Sequence, residues 1–302
     1  MSQQKSALLG LFTVSLIWGC NYIASVILLR SFSPIFTSFG RITLTSVFLI
    51  IVGLVVRKLK RPTKKEWLLL VAVGIFGVFF NQTFYFTGLH HSSPTNASLI
   101  FALVPVCTIL LERMFLKERL TTFKLIGVLL GFAGVVIIVG AGEGVHGISI
   151  GDIYLLLSMI AQSIGILYTR CLTASMSSYA VTIYATVIGS GFMGVSAVGE
   201  HIFSTTVISH NIYLWMLMAA AGVLSQGVAG FLWNKGVSVV GAGTSSMFLN
   251  IPPFVTLILS SLVLGEKIQM TQILGGFFVL LGVFVANQKM KPKKTTIQTI
   301  AS

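Results

Sequence analysis

The sequence predicts an all-α integral membrane protein with ten transmembrane helices, arranged as two inverted five-helix repeats with both termini in the cytoplasm. Three observations predict it. Of 302 residues, 55% are hydrophobic and 9% charged, with a mean hydropathy of +0.95. A soluble domain carries about 25% charged residues, and a disordered chain needs low hydrophobicity with high charge. The apolar residues are gathered into ten stretches, and the two halves of the chain align on one another without a gap.

A span needs about 20 mostly apolar residues. The stretches that qualify are 7–29, 34–56, 67–89, 94–112, 123–140, 152–172, 179–199, 211–233, 242–264 and 270–288. Pro34, Pro62 and Pro94, Gly-rich turns and charge clusters mark the breaks. The first stretch carries a basic Lys5 and a loosely lipoprotein-like Ile17–Cys20. Trp18 is too bulky for that cleavage site, and Ala7 to Leu29 exceeds a signal h-region of about 7–15 residues. An uncleaved first span is therefore expected.

The net charge of +13 is not spread over a nucleic-acid-binding face, because the basic residues lie in short loops. With the N-terminus inside, 17 Lys and Arg fall on the cytoplasmic side. They are Lys5, six from Arg57 to Lys65, Arg113, Lys117, Arg119, Lys124, Arg170, Lys235 and four in the tail. Only Arg30 and Lys267 fall outside, and Arg41 lies within a span. Such asymmetry fixes span number and direction. Trp67, Tyr179, Tyr213 and Trp215 sit near span ends, where aromatic anchors belong.

A displacement of 148 residues brings Gly88 onto Gly236, Ser98 onto Ser246, Pro105 onto Pro253 and Thr108 onto Thr256. It also pairs Glu118 with Glu266, Gly127 with Gly275, Gly134 with Gly282 and Val135 with Val283. The units are 1–143 and 144–288, followed by a disordered basic cytoplasmic tail, 289–302. Five spans per unit is an odd number, so the two units must be inverted. Inverted repeats let one scaffold open to either side around a midplane site.

The stretch Pro105…Glu118-Arg119-Leu120…Gly127…Gly134 and its copy Pro253…Gly265-Glu266-Lys267…Gly275…Gly282 resemble the EamA family of the drug/metabolite transporter superfamily. Trp18-Gly19 and Arg41 also match that pattern, and the resemblance runs from about residue 7 to 288. The first span of the second half departs from it, since Gln162 and its neighbours lack a Trp-Gly. The resemblance implies ten helices around a central cavity and export or exchange of small metabolites, often amino acids.

Candidate site residues follow from polarity at membrane depth. Ser98, Phe101, Pro105, Thr108 and Glu112 share one helical face, repeated as Ser246, Leu249, Pro253, Thr256 and Ser260. Pro105, Pro252 and Pro253 each leave a carbonyl four residues earlier unpaired, and mark kinks or gates. These faces line the substrate path or serve close helix packing. Arg41 is the full charge well inside a span. It holds a substrate carboxylate, or it supports the bundle by snorkelling or pairing. Trp18, Asn21, Tyr22, Asn81, Gln82, Tyr85 and Asn96 in the first half complete an expected amide-and-aromatic cavity with Gln162, Gln226, Trp233 and Asn250 in the second.

Other chemistry lacks its parts. Cys20, Cys107 and Cys171 lie in apolar stretches and form no disulfide or metal pattern. The GxGxxG at Gly142–Gly147 and the GxSxG at Gly147–Gly151 share one external loop, without the strand-turn-helix context they require. The five histidines are loop residues, and no HExxH occurs. Neither cofactor nor metal is expected, and an intramembrane enzyme would need nucleophile, base and orienting group at depth, where no His, Asp, Lys or clear Glu lies. A channel or sensor suits two kinked halves less well than alternating access does.

The expected function is a secondary active or facilitative exporter of small metabolites such as amino acids, with a multidrug exporter of the same fold as the alternative. The expected partners are a small-molecule substrate and the lipid bilayer of the cell membrane, with no nucleic acid, and the chain is a monomer or weak homodimer. A proton and an exchanged substrate both stay open as coupling partner. All seven acids sit in loops or at span ends, with Glu112 nearest the membrane.

Overall fold

A computed structural model describes residues 3–56, 61–116, 121–140, 149–203, 205–240, 245 and 248–286. Ser246, Glu118, the GxGxxG at 142–147, the first two residues of the GxSxG and the basic tail lie outside the described residues. Among the described residues the structure is helical, without strands.

Among the described residues, eight helices are long and apolar enough to cross a membrane. They are α1 (Gln3–Leu29), α2 (Pro34–Val55), α3 (Lys64–His90), α4 (Pro94–Phe115), α5 (Thr122–Gly140), α6 (Ile150–Leu172), α7 (Ser178–Ile202) and α8 (Ile212–Val237). Two shorter apolar helices follow, α9 (Phe248–Leu264) and α10 (Met270–Ala286). Apolar side chains such as Val55, Leu68, Val195 and Leu262 stand exposed along them. In hydrocarbon a helix satisfies its own backbone, so such a surface is stable there.

Local sequence sets the ends. Thr63 accepts from the Glu66 amide while the Glu66 carboxylate accepts from the Thr63 amide, a capping box that starts α3. Glu66 also accepts from Ser175, tying this end to the α6–α7 turn. Thr63→Ala is expected to cost about 1 kcal/mol, read as a lower melting temperature in detergent. Pro94 begins α4 behind a Ser93 cap. Gly265 ends α9 with φ +69°, a left-handed conformation that glycine adopts without steric cost.

Packing joins α1 to α8 and α9, α3 to α6, α2 to α7, and α5 to α10. The 148-residue displacement carries the α1–α8 contact onto α6–α3, and the α1–α9 contact onto α6–α4. It also relates local irregularities. A π-helical segment occupies Val73–Phe80 in α3, and another Val223–Val228 in α8. Regular helix is interrupted at Ala102 and Leu103 in α4, and α9 opens with a 3-10 turn at Phe248–Asn250.

The α5–α10 seam is built from glycines that the displacement pairs. A Cβ on Gly134 would lie 2.5 Å from the Gly275 carbonyl oxygen, and one on Gly282 would lie 2.6 Å from that of Gly127. The low numbers of α5 meet the high numbers of α10, so the two helices run antiparallel.

Candidate functional site

Two expected candidates meet first at Arg41. Its side chain is 5% exposed, on α2. One terminal nitrogen donates to Ser25 Oγ at 2.7 Å. The other donates to Asn21 Oδ1 at 2.5 Å, Ala221 O at 3.3 Å and Ser225 Oγ at 3.4 Å. The guanidinium carbon stands 5.2 Å from the ring centre of Phe86. Arg41 therefore ties α2 to α1, α3 and α8 through neutral groups. Burying a charge costs several kcal/mol unless hydrogen bonds and countercharge offset it. Here the hydrogen bonds are present, and every one of these partners is uncharged.

Aromatic rings extend the site. Tyr22, Tyr85 and Phe101 form a triangle with centroids 6.0, 5.5 and 6.5 Å apart. Trp18 and Trp233 pack at 5.4 Å, and Trp18 Nε1 donates to Ser225 O at 3.0 Å. Ser225 thus meets Arg41 through its hydroxyl and Trp18 through its carbonyl. It lies within the π-helical turn of α8, a distortion that is frequent at functional sites.

Other expected site residues take different places. Asn81 Nδ2 donates to Ser158 O and Oγ at 3.1 and 3.0 Å, joining α3 to α6, and Gln82 donates to Asn81 Oδ1. Ser98 returns its hydroxyl to Thr95 O. Gln162 is half-buried on α6. Gln226 lines a cavity between α2, α7 and α8. Asn250 Oδ1 is buried without a hydrogen-bond partner, in the turn that opens α9.

One proline-freed carbonyl finds a donor on another helix. Ser15 Oγ donates to Leu11 O and to Phe248 O, the carbonyl that Pro252 leaves unpaired. Ser163 Oγ donates to Met159 O and to Val104 O. Ser15 and Ser163 are 148 residues apart, as are Leu11 and Met159, whereas the acceptors Phe248 and Val104 are not related by that displacement.

Asn96 belongs to a polar cluster where α3 and α4 meet α6 and the α9–α10 turn. Asp152, fully buried, accepts from Ser92 Oγ and from Asn96 Nδ2 at 3.2 Å. Gln272 Nε2 donates to Asn96 Oδ1 at 2.9 Å, and Thr95 Oγ1 to Glu266 Oε2 at 3.2 Å. Burial pushes the Glu266 carboxyl above its ordinary value, against the opposing hydrogen bonds of Ser93 and Thr95. The closed cluster therefore binds a proton more tightly than an opened, solvated one. Its contribution is present at low pH and is lost as pH rises through the raised value. Glu266→Gln is expected to flatten the rise in thermal stability on acidification, read from melting curves across pH.

Ser25, Ser225, Ser92, Asp152 and Gln272 were not among the sequence candidates. Ser25 stands one turn beyond Asn21, and Ser225 directly precedes Gln226, so proximity in sequence is the available signal. Among the described residues, no group of three His, Cys, Asp or Glu side chains comes together to hold a metal. Glu112 pairs with Arg170.

These features define a polytopic helical membrane protein with a buried polar and aromatic centre. A model of the EamA-like transporter family matches residues 5–140 and again 149–288. The chain belongs to that family of transporters, within the drug/metabolite transporter group. It is 29% identical over 88% of both chains to "Uncharacterized transporter YyaM" of Bacillus subtilis. It is 26% identical over 93% of both chains to "Probable terminal-alkyne amino-acid exporter" of Streptantibioticus cattleyicolor. A solved crystal structure superposes with a TM-score of 0.65 at 22% identity, over 93% of this chain and 96% of that one, a likeness of fold alone.

Proposed function

We propose that the protein is a secondary transporter of the cell membrane that exports a small zwitterionic metabolite of the amino-acid class. Ten spans form two inverted halves, and rocking between them exposes a midplane site alternately. The single observation that carries the substrate class is Arg41, a buried guanidinium whose hydrogen-bonding partners are all neutral. A carboxylate of the substrate supplies the missing countercharge, and the rings of Tyr22, Tyr85 and Phe101 suit an apolar side chain. A phosphorylated substrate would call for several cations.

The inverted arrangement is supported by the antiparallel α5–α10 seam. Two equivalent helices that meet antiparallel are related by an axis across their length, hence in the membrane plane. The matched π-helical turns support the same relation. The name of the Streptantibioticus relative supports the amino-acid class.

Profiling the growth medium of expressing cells tests the reading. Enrichment of one amino acid over cells that carry the empty vector is expected. Purified protein that exchanged phosphorylated sugars and ignored amino acids would overturn it.

A further inference from the structure

The polar cluster at the end of the bundle assigned to the outside joins elements from both halves of the chain. There α3 and α4 pack on α6, and the first turns of α4 also meet α9. Asp152 on α6 accepts from Asn96 Nδ2 at 3.2 Å, which turns the Asn96 amide oxygen toward the first turn of α10. Gln272 Nε2 donates to that oxygen at 2.9 Å and to Ser93 Oγ at 3.4 Å. Gln272 Oε1 accepts from the Gln269 amide at 3.1 Å, so this second amide is oriented too. A parallel bond runs from Thr95 Oγ1 to Glu266 Oε2 in the α9–α10 turn. Thr95 and Gln272 are both buried. If the α3–α4 and α9–α10 turns part, these groups lose their partners and must find them in water.

The internal repeat supplies a comparison within one chain. The 148-residue displacement sets Ser93 and Thr95 against Gly241 and Gly243, which have no side chain to donate. It sets Asn96 against Thr244, Asp152 against Gln4 and Gln272 against Lys124. Among these cluster residues only Glu266 keeps its type, as Glu118. One end of the bundle therefore carries an oriented set of hydrogen-bonding side chains that its copy at the other end lacks. Two gates of equal strength would not need this difference.

We infer that the cluster is the outer gate of the transporter, closed at rest by the Asn96–Gln272 and Thr95–Glu266 hydrogen bonds, and that external protons strengthen it. The gate rests on the alternating-access reading and the orientation above. Glu266 is half-buried, so protons reach it from outside. Burial holds its carboxyl above the ordinary value, and parting the turns returns it to water. Protonation therefore favours the closed form, and that preference is lost as external pH rises through the raised value. The other charged and titratable groups on the elements that meet this turn are Lys267 beside it, Asp152 on α6, His90 and His91 at the end of α3, and Arg30 at the end of α1. Glu143 and His146, between α5 and α6, lie outside the described residues. Charged histidines would favour the Glu266 carboxylate, so the test must isolate Glu266 itself.

Thiol labelling from outside provides that test. Ser98 lies one turn inward of Thr95 and is 2% exposed. Ser98→Cys is placed in a chain whose Cys20, Cys107 and Cys171 are replaced by serine, and intact cells are treated with a membrane-impermeant maleimide. Labelling is expected to be slow. Gln272→Leu should speed it about tenfold, the weight of one hydrogen bond, and Thr95→Val serves if Gln272→Leu does not fold. Glu266→Gln keeps an acceptor for Thr95 without the charge and should slow labelling, whereas general loosening would speed it in every variant. The rate with Glu266 divided by the rate with Glu266→Gln cancels the pH dependence of the thiol. It should exceed one at about pH 7.5 and fall to about one at about pH 5. Fast labelling of the starting chain, no effect of Gln272→Leu and Thr95→Val, or faster labelling with Glu266→Gln overturns the gate. A ratio that does not change with pH overturns the proton effect. L-Leucine counterflow in liposomes is measured in parallel. The expected labelling without counterflow retains the gate and overturns the amino-acid reading. Counterflow with labelling indifferent to these substitutions does the reverse.

Discussion

Arg41→Ala is expected to lower transport about a hundredfold, corresponding to about 3 kcal/mol. The substitution removes the cation at a site where Asn21, Ser25, Ala221 and Ser225 already surround it with neutral acceptors. It leaves those groups without their donor, so part of the loss is structural. Arg41→Lys separates the two contributions. Lysine keeps the charge and lacks the planar fork that reaches α1 and α8 together. It should fold, retain measurable transport and show a raised KM. Equal transport by all three proteins at equal abundance would remove Arg41 from the site.

Gly134→Leu is expected to be the most destabilising single change in the bundle. Overpacking costs about 1–3 kcal/mol where neighbours can shift. Here a Cβ would already stand 2.5 Å from the Gly275 carbonyl oxygen and 2.7 Å from the Val279 amide nitrogen. Backbone atoms of an opposing helix move only with the helix, so the seam itself must separate. The melting temperature in detergent should fall well below that of the parent. Gly140→Ala is the control, because a Cβ there meets nothing within 4 Å and should change stability by under about 0.5 kcal/mol. Equal melting of both variants would contradict the close α5–α10 contact.

The spans were legible because lipid imposes one rule along the whole chain: apolar residues at depth and charge at the ends. The small glycines of α5 and α10 were legible as positions paired by the 148-residue displacement, and close approach in lipid is the reason glycine stands there. Site residues were only half legible. An amide in a span reads alike whether it meets a ligand or a neighbouring helix. Asn21 is found on Arg41, whereas Asn81 is found on Ser158. The difference lies in which helix stands opposite, and that is decided by tertiary packing. Ser225 and Ser25 were missed because serine is an ordinary packing residue between membrane helices. The π-helical turns carry no compositional mark. Asp152 sat at a span end and was read as an ordinary end-of-span acid, and nothing in its neighbours announces full burial.

The most direct test of the account is counterflow of labelled amino acids into liposomes that contain the purified protein, with Arg41→Ala run beside it. The account predicts saturable exchange of an apolar amino acid by the parent chain, and exchange by the variant reduced toward protein-free liposomes. Exchange of sugar phosphates with amino acids ignored, or amino-acid exchange unaffected by loss of Arg41, would contradict it.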